Sequence, residues 1–554
     1  MISKTKFDRF YSKLFGFLTF EGQIISLKLS NSTNTCNQIY WFLAFGSLKY
    51  LRKLESLTML EVKPTNFEDI LSALPSLKKL RHFSFHTKYQ MGSSLLTALP
   101  SLAIEKLSIP QLYSDPPSNK ICLVKHLTVS VICILERLFD YFKCAPMLKY
   151  LSINELKSDE IIVNPTQAIC LTTLIIREME KPQFSKLEII FKNTPNLKKL
   201  ILSTKQSINI LDASHWQHLI SSLLPHLNIF KFNFRVQFRR YNETTLTNEE
   251  IFGKYLEFQN DFWHQQHQWH TVYESNDDCA IISTIPYYSD EFTLKSSTQI
   301  SSKQLINNRD IFKKVTHLNL HQRAFNNCAD QYFSNIEFLT LAYPAFDIQD
   351  LESMRNIIDL PKLKFLGIEK GHTLDSPSII LEILKQAPNI RAIAIPTEVF
   401  LSFFDNNDLC FYLNRIIKKL TITTNYMFPY RLGFIDTHKI PQFCEIFSNL
   451  GHLQCSIHKW DDFINIWSQL PKLARITITS QLTPPDGIDL YEKVRSISSI
   501  NFLYDYDTTG AVSQFLSPAT PVYNALFIWT RENQKLIIIT YFTFVNTIIK
   551  RKNK

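Results

Sequence analysis

Glycine is scarce in this sequence: only 11 of 554 residues are glycine, well below the roughly 7% of an average protein. Nucleotide-binding loops need glycine where the backbone approaches a phosphate group closely. Neither G-x-G-x-x-G nor G-x-x-x-x-G-K-[ST] occurs in the chain. The sequence therefore excludes the familiar nucleotide-binding loops, and we expect no cofactor.

Catalytic signatures are missing as well. The chain contains no G-x-S-x-G, no H-E-x-x-H and no kinase-like set of motifs. Adjacent carboxylates occur at Asp277-Asp278 and Asp461-Asp462. The second pair begins a predicted helix, where acids bind open N–H groups and suit the helix dipole. We therefore predict a protein that is not an enzyme and has no small-molecule substrate.

The ten cysteines include no C-x-x-C pair, which leaves neither a zinc ligand set nor a thioredoxin-type motif. Some of them, such as Cys133 and Cys144, lie in apolar helical patterns. A free cysteine in such a pattern acts as a small buried hydrophobic residue. This usage favours a reducing compartment, so we expect the protein in the cytoplasm or nucleus.

No long apolar run is present. Residues 1–20 mix charged and aromatic side chains, which is unlike a signal peptide. The most apolar segment, 536–549, is shorter than the roughly 20 residues of a membrane span. We expect it to be a terminal strand or helix packed on the protein, with a tail anchor as the alternative. The net charge of +10 is mild for this length and favours weak attraction to acidic surfaces.

What the sequence does contain is a repeated phrase: an apolar helical run, often a proline, and then L-x-x-L-x-[LI]. Residues 146–153, PMLKYLSI, are a clear copy. The last apolar positions of the phrase alternate with polar ones, as in a strand with one buried face. The first apolar positions of the copies are residues 24, 54, 80, 104, 124, 148, 171, 197, 227, 315, 336, 363, 390, 417, 450, 473 and 497.

Between the strand phrases the apolar period becomes helical. Ile380, Ile383, Leu384 and Ala387 recur at i, i+3, i+4 and i+7, as do the apolar residues of 463–470. Proline then ends the helix, because it lacks an N–H group and restricts the residue before it. Each repeat is therefore predicted to be one strand followed by one helix.

These residues resemble the leucine-rich-repeat proteins with helical convex faces, and among them the F-box substrate receptors. Apart from one jump, from 227 to 315, the copies lie 20 to 33 residues apart, overlapping that family's period of roughly 20 to 29. The resemblance implies an α/β solenoid, or horseshoe, with a parallel concave sheet and a helical convex face. It also implies protein binding without catalysis, and substrate recognition for an SCF-type ubiquitin ligase.

The chain departs from that family in two ways. The asparagine or cysteine that often follows the strand is replaced, for example by Leu156 and Lys205. The repeats begin at Ile24, which leaves too few residues ahead of them for an F-box. Binding to a cullin-ligase adaptor is therefore expected only if an F-box lies upstream. The expected organisation is an N-terminal cap or linker (1–23), a first half-array (24–232), an insertion (233–314), a second half-array (315–504) and a C-terminal cap or tail (505–554).

The insertion is rich in aromatic and amide residues. His264, His267 and His270 are three residues apart, so a zinc site is conceivable, but the familiar helical pairing is i, i+4 with further ligands elsewhere. We favour the polar face of an amphipathic segment capped by Trp263 and Trp269, and we predict no metal site. A strand beginning at Cys279 is expected to pair with residues 269–273.

The polar positions beside the strand leucines should line the concave face, a habitual binding surface of solenoids. Among these positions Glu369 is the single acid, and histidine is over-represented. Strands disfavour acids in any case; the alternative explanation is an acidic or phosphate-bearing partner. Protonation of histidine below about pH 6.5 would then strengthen binding. We predict that the partner contacts His82, Lys106, His126, Tyr150, Lys199, His317, Phe338, Phe365, Lys419, His452 and Arg475.

Three functions stay open at this point. The first is substrate recognition for a ubiquitin ligase, and the second is a stand-alone interaction or sensor protein. The third, nucleic-acid binding, is disfavoured, because the aromatic residues of the strand face are not interleaved with the dense basic stripe that single-strand binders use.

Overall fold

The structure is a computed structural model, and it divides the chain into two compact units. The first unit is drawn from 1–288 and 299–305, and the second from 289–298 and 306–554. The predicted N-terminal cap or linker at 1–23 lies outside the described residues. The structure describes residues 24–31, 38–45, 48–87, 102–112, 121–157, 165–204, 208–238, 246–287, 289–301, 311–321, 331–342, 348–369, 377–423, 437–456, 460–480, 502–507, 522–530 and 535–543.

The first unit contains a 12-stranded sheet in which β1 to β9 follow in chain order and are parallel. The antiparallel strands β11 and β10, and then β13, extend it beyond β9. The strands are β1 Ser26–Ser30, β2 Ser56–Leu60, β3 His82–Phe85, β4 Lys106–Leu112, β5 His126–Ile134, β6 Tyr150–Lys157, β7 Thr173–Met179, β8 Lys199–Thr204, β9 Ile229–Gln237, β10 Thr271–Ser275, β11 Cys279–Thr284 and β13 Gln299–Ser301.

The second unit contains an 11-stranded sheet that is parallel from β12 through β14 to β20 and then to β23, with β22 and β21 antiparallel beyond it. The strands are β12 Glu291–Leu294, β14 His317–His321, β15 Phe338–Ala342, β16 Phe365–Ile368, β17 Ala392–Pro396, β18 Lys419–Thr423, β19 His452–Ser456, β20 Arg475–Ser480, β21 Phe502–Asp507, β22 Val522–Thr530 and β23 Lys535–Thr543.

Every predicted repeat from 24 to 473 contains a parallel strand that begins two residues after its first apolar residue. In the first unit Leu127 pairs with Leu107 on one side and Leu151 on the other, and all three are buried. In the second unit Leu339 pairs with Leu318 on one side and Leu366 on the other, and all three are buried. Each buried leucine contributes about 1.5–3 kcal/mol. The predicted fold class, a leucine-rich-repeat architecture, is confirmed.

Helices lie between the strands. The helix predicted from residues 380–387 is α8, and that predicted from 463–470 is α12. The helices are α1 Gln38–Phe45, α2 Pro64–Ala73, α3 Leu135–Cys144, α4 Phe184–Lys192, α5 Ala213–Leu223, α6 Asn248–Glu257, α7 Ile348–Ile357, α8 Pro377–Gln386, α9 Thr397–Ser402, α10 Asn407–Ile416, α11 Ile440–Ile446 and α12 Trp460–Gln469. Short 3-10 turns follow the same rhythm, for example Leu74–Ser76 and Leu360–Lys362.

The segment predicted as one insertion, 233–314, is divided between the two units. Its predicted hairpin is confirmed, because β10 pairs antiparallel with β11. Helix α6 begins with a capping box between Thr247 and Glu250. Strand β12 belongs instead to the second unit, where it pairs with β14.

The tryptophans of this segment correct the sequence interpretation. Trp263 is fully buried and Trp269 nearly so, so they are core residues and not caps on a polar face. The Trp263 ring centroid lies 4.9 Å from that of Phe258 and 6.0 Å from that of Phe232. A π-helical turn at Phe262–Gln266 replaces the regular amphipathic helix that histidines three residues apart suggested.

The C-terminal end also departs from the expected pattern. The repeat predicted at 497 should have provided the next parallel strand, but β21 is antiparallel to β22 and β23 pairs with β20 instead. Residues 497–501, where that repeat begins, lie outside the described residues, so the prediction is contradicted for 502–507 only. The expected terminal strand within 536–549 is confirmed for the residues of β23, whereas 544–549 lie outside the described residues.

All cysteines within the described residues are free, and Cys133 and Cys144 are buried as predicted. Cys144 lies in a helix as expected, whereas Cys133 lies on strand β5. In the same part of the chain no helix is long and apolar enough to cross a membrane.

The aromatic cluster at the antiparallel end should stabilise the first unit. Trp263→Ala is expected to lower its free energy of unfolding by about 3–5 kcal/mol, because the cavity cannot close fully. The control is Tyr50→Ala, whose side chain is 58% exposed and should change stability by about 0.5 kcal/mol or less. Urea denaturation followed by far-UV circular dichroism measures both variants. Equal midpoints for the two would contradict a core role for Trp263.

Candidate protein-binding surface

Strand register aligns the predicted contact residues. The first outward row of each sheet consists of the first residue of each parallel strand. Pairing along this row is continuous in both units. In the first unit the row is Ser26, Ser56, His82, Lys106, His126, Tyr150, Thr173, Lys199 and Ile229. In the second it is Glu291, His317, Phe338, Phe365, Ala392, Lys419, His452 and Arg475.

All eleven predicted contact residues therefore lie in the two first outward rows, and each is exposed or half-buried. Neighbouring strands of a sheet lie about 4.8 Å apart, so side chains in one row are direct neighbours. Four of the predicted residues occupy consecutive strands β3 to β6. Lys199 stands two strands further, beyond Thr173.

A trough with a volume of about 260 Å³ follows the five consecutive strands β2 to β6. Its wall consists of His82, Lys106, His126 and Tyr150. Its floor belongs to the second outward row, two residues further along each strand, where small side chains leave room. The floor residues are Thr58, Ser84, Ser108 and Thr128. Leu57, Phe83 and Leu107, each directly before one of these residues in the sequence, also line the trough.

The trough has no carboxylate in its lining. Glu105 directly precedes strand β4. It accepts hydrogen bonds from Arg81 at 2.7 Å and from Lys125 at 3.1 Å. The Lys125 ammonium, and then the Arg81 guanidinium, lower the pKa of the Glu105 carboxyl. Within the described part of the chain, no hydrogen bond or ion pair engages the Lys106 ammonium. Its charge therefore stays available to a partner.

His126 lies within the wall, between Lys106 and Tyr150 on the neighbouring strands. Burial lowers the pKa of His126 from its ordinary 6.5, and the charges of Lys106, Lys125 and Lys149 lower it further against an opposing effect of Glu105. Its ring centroid lies 5.7 Å from that of Tyr150. The ring of His126 therefore gains its charge at a lower pH than the sequence suggested.

The row of the second unit begins with an aromatic stretch. The His317 ring stacks on Phe338 with centroids 4.2 Å apart and planes 2° apart, and Phe338 lies 5.9 Å from Phe365. Gly367, two residues after Phe365 on the same strand, leaves space for the Phe365 ring. A Cβ atom at Gly367 would lie 3.1 Å from Phe365 Cε1 and 3.2 Å from Thr340 Oγ1. The three rings therefore form one continuous apolar stretch of the row.

A cationic stretch follows beyond Ala392. Lys419, His452 and Arg475 occupy consecutive strands. Burial, followed by the charges of Arg475 and Lys419, lowers the pKa of His452. The second unit thus combines an aromatic and a cationic half on one row, a pairing that suits a partner with apolar and acidic side chains.

One member of the row was missed by the sequence reasoning. Glu291 opens the row in the second unit and accepts a hydrogen bond from Asn319 Nδ2 at 2.9 Å. It lies on β12, inside the segment predicted as an insertion. Its signal was present in the sequence: Phe292 and Leu294 alternate with polar residues, 26 positions ahead of Leu318 and Leu320.

The three histidines of the predicted insertion do not converge. His264 Nδ1 lies 3.1 Å from His270 Nδ1, whereas the His267 ring stacks on Trp269 at a centroid distance of 4.1 Å. A zinc site needs three or four ligands. Among the described residues no group of three or more His, Cys, Asp or Glu side chains could hold a metal ion.

Comparison with known proteins does not define a function for this chain. No protein-family model matches the chain, and no curated protein matches it. Among solved structures, a leucine-rich-repeat protein of Leptospira interrogans is 11% identical, with 88% of this chain and 97% of that chain covered and a TM-score of 0.21. TLR13, in a complex with the single-stranded RNA ssRNA13, is 13% identical over 78% of this chain and 67% of its own, with a TM-score of 0.24. Similarity at this level supports no conclusion about a ligand.

The electrostatic cause of the His126 shift can be tested directly. Lys106→Ser removes one of the neighbouring charges and is expected to raise the pKa of His126 toward 6.5, while burial keeps it below that value. Histidine labelled with ¹³C at Cε1 and followed by NMR between pH 4.5 and 8 gives the midpoint, and His126→Asn assigns the signal. A wild-type midpoint above 6.5, or one that Lys106→Ser leaves unmoved, would refute this electrostatic model.

Proposed function

We propose that this protein is a non-catalytic recognition module that binds a protein partner through the outward rows of its two sheets. The observation that carries the proposal is the in-register alignment of the predicted contact residues, ten of which lie on three runs of consecutive strands, β3 to β6, β14 to β16 and β18 to β20. A repeated strand presents one outward position per repeat, so an extended partner can contact many repeats at once.

The composition of the rows supports a partner with acidic character. Lys106 and Lys419 are exposed, and Glu291 is the single acid in the two first outward rows. The aromatic stretch from His317 to Phe365 supplies rigid apolar area, which is typical of energetic centres in protein interfaces. Nucleic acid is less favoured, because the cations form two separate groups and not one continuous stripe.

A finer proposal is substrate recognition for an SCF-type ubiquitin ligase, in the cytoplasm or nucleus. It rests on the resemblance of the repeats to F-box receptors and on the use of cysteine in the sequence. No contact within the described residues supports adaptor binding. A stand-alone interaction or sensor protein is the alternative. Identifying a cullin adaptor among the captured proteins would separate the two.

Affinity capture from native lysate tests the recognition role. We expect the variant Lys106→Ser, Lys199→Ser, Lys419→Ser, Arg475→Ser to lose the proteins that the wild type captures, because it removes the cations of both rows. Capture by the wild type should also fall as salt rises from about 0.05 to 0.3 M, since the Debye length shortens about 2.4-fold over that range.

The matched control carries the same loss of four positive charges on exposed helical positions: Lys143→Ser, Lys192→Ser, Lys385→Ser, Arg415→Ser. It should capture the same proteins as the wild type, and circular dichroism should show that both variants are folded. Equal capture by the control and the row variant would mean that the outward rows are not the binding surface.

A further inference from the structure

Resting on the proposed function, we infer that the trough of the first unit is a site for a phosphorylated serine or threonine side chain of the partner protein. The lining chemistry points to a small group with two negative charges. The inference names the class of ligand that this part of the surface recognises.

The positive charge of the trough is concentrated on one strand and flanked by potential donors. Lys106 pairs with His82 on one neighbouring strand and with His126 on the other. The backbones of His82 and His126 each lie one strand spacing, about 4.8 Å, from the backbone of Lys106. The arrangement surrounds one anion with an ammonium and two imidazoles, all of which line the same trough.

The surroundings do not neutralise this charge. Glu105 is held between Arg81 and Lys125 at 2.7 and 3.1 Å, and no carboxylate lines the trough. Lys149 adds a further cation near His126. An approaching anion therefore meets a net positive field, and it displaces no existing ion pair of Lys106 among the described residues.

The floor distinguishes a phosphate group from a carboxylate. The hydroxyl groups of Ser84, Ser108 and Thr128 lie on consecutive strands beside Lys106. Within the described residues they make no hydrogen bond to protein groups. A phosphomonoester has three terminal oxygens and a charge of about −1.5 to −2, so it can accept from more of these donors than a carboxylate with two oxygens can.

The extent of the site favours a single phosphomonoester on a short side chain. The row continues with the neutral Ser56 before His82 and with Thr173 after Tyr150. A nucleic-acid backbone needs a basic track that continues along its length, which this row does not offer. Phosphoserine and phosphothreonine carry this group on a shorter side chain than phosphotyrosine does, and we assign the site to them.

Fluorescence polarisation with three degenerate nonapeptide libraries tests the inference on the full chain. The libraries differ only at the central residue: phosphoserine with phosphothreonine, serine with threonine, or glutamate. The wild type should bind the phosphorylated library at least about tenfold more tightly than the other two, as expected for charge-assisted hydrogen bonds. Lys106→Ser should reduce that preference to about twofold or less.

The control is Lys192→Ser, which removes an exposed lysine of α4 in the same unit and should keep the full preference. Circular dichroism confirms that both variants are folded. An equal affinity for the three libraries, or a preference that Lys106→Ser leaves unchanged, would overturn the inference. So would a poly(U) oligonucleotide that binds more tightly than the phosphorylated library and depends on Lys106.

Phosphatase treatment of the lysate separates this inference from the recognition role. If dephosphorylated partner is still captured by the wild type and by Lys106→Ser, yet lost by the fourfold row variant, the phosphate site is refuted and protein recognition stands. If the fourfold row variant captures as well as the wild type, both are refuted. Loss of capture after dephosphorylation and in Lys106→Ser is the result we expect.

Discussion

In-register pairing of apolar residues between parallel strands is the constraint on which this structure depends. Leu107, Leu127 and Leu151 form one step of a buried ladder, and their positions fix which residues point outward. A slip of one residue would exchange the buried and outward faces of a strand. The alignment of His82, Lys106 and their neighbours is therefore a consequence of core packing and needs no direct attraction among the outward side chains.

The repeated part of the fold could be predicted from sequence because its signals are local. Each strand follows a helix stop and alternates apolar with polar residues, so the strand at Tyr150 is evident from residues 146–153 alone. The errors of the sequence prediction lie at the ends of the two half-arrays. Whether the segment at 502–507 pairs in parallel, and with which strand, depends on the competing strand β23, which no local pattern reveals. Trp263 was misplaced for the same reason: its burial depends on Phe232 and Phe258, which are distant in sequence.

The sequence predicted the candidate surface only as far as it predicted the strand register. The strand register is enough to place all eleven predicted residues in the outward rows. It does not predict the trough, which depends on small side chains such as Ser84 and Ser108 beside larger ones. Nor does it show that Glu105 is occupied by Arg81 and Lys125, which leaves the charge of Lys106 available. Glu291 escaped because its strand was counted as part of an insertion.

Because buried and outward residues alternate along each strand, selection for folding and selection for ligand binding act on different residues. Substitution of an outward residue such as Lys106 leaves the neighbouring core residue Leu107 untouched, so ligand preference can drift one repeat at a time while the protein keeps folding. Gly367 is an exception, because its lack of a side chain leaves space for the Phe365 ring. Evolution can therefore rewrite most of this surface by single point mutations, whereas a change at Gly367 would require a second change beside it.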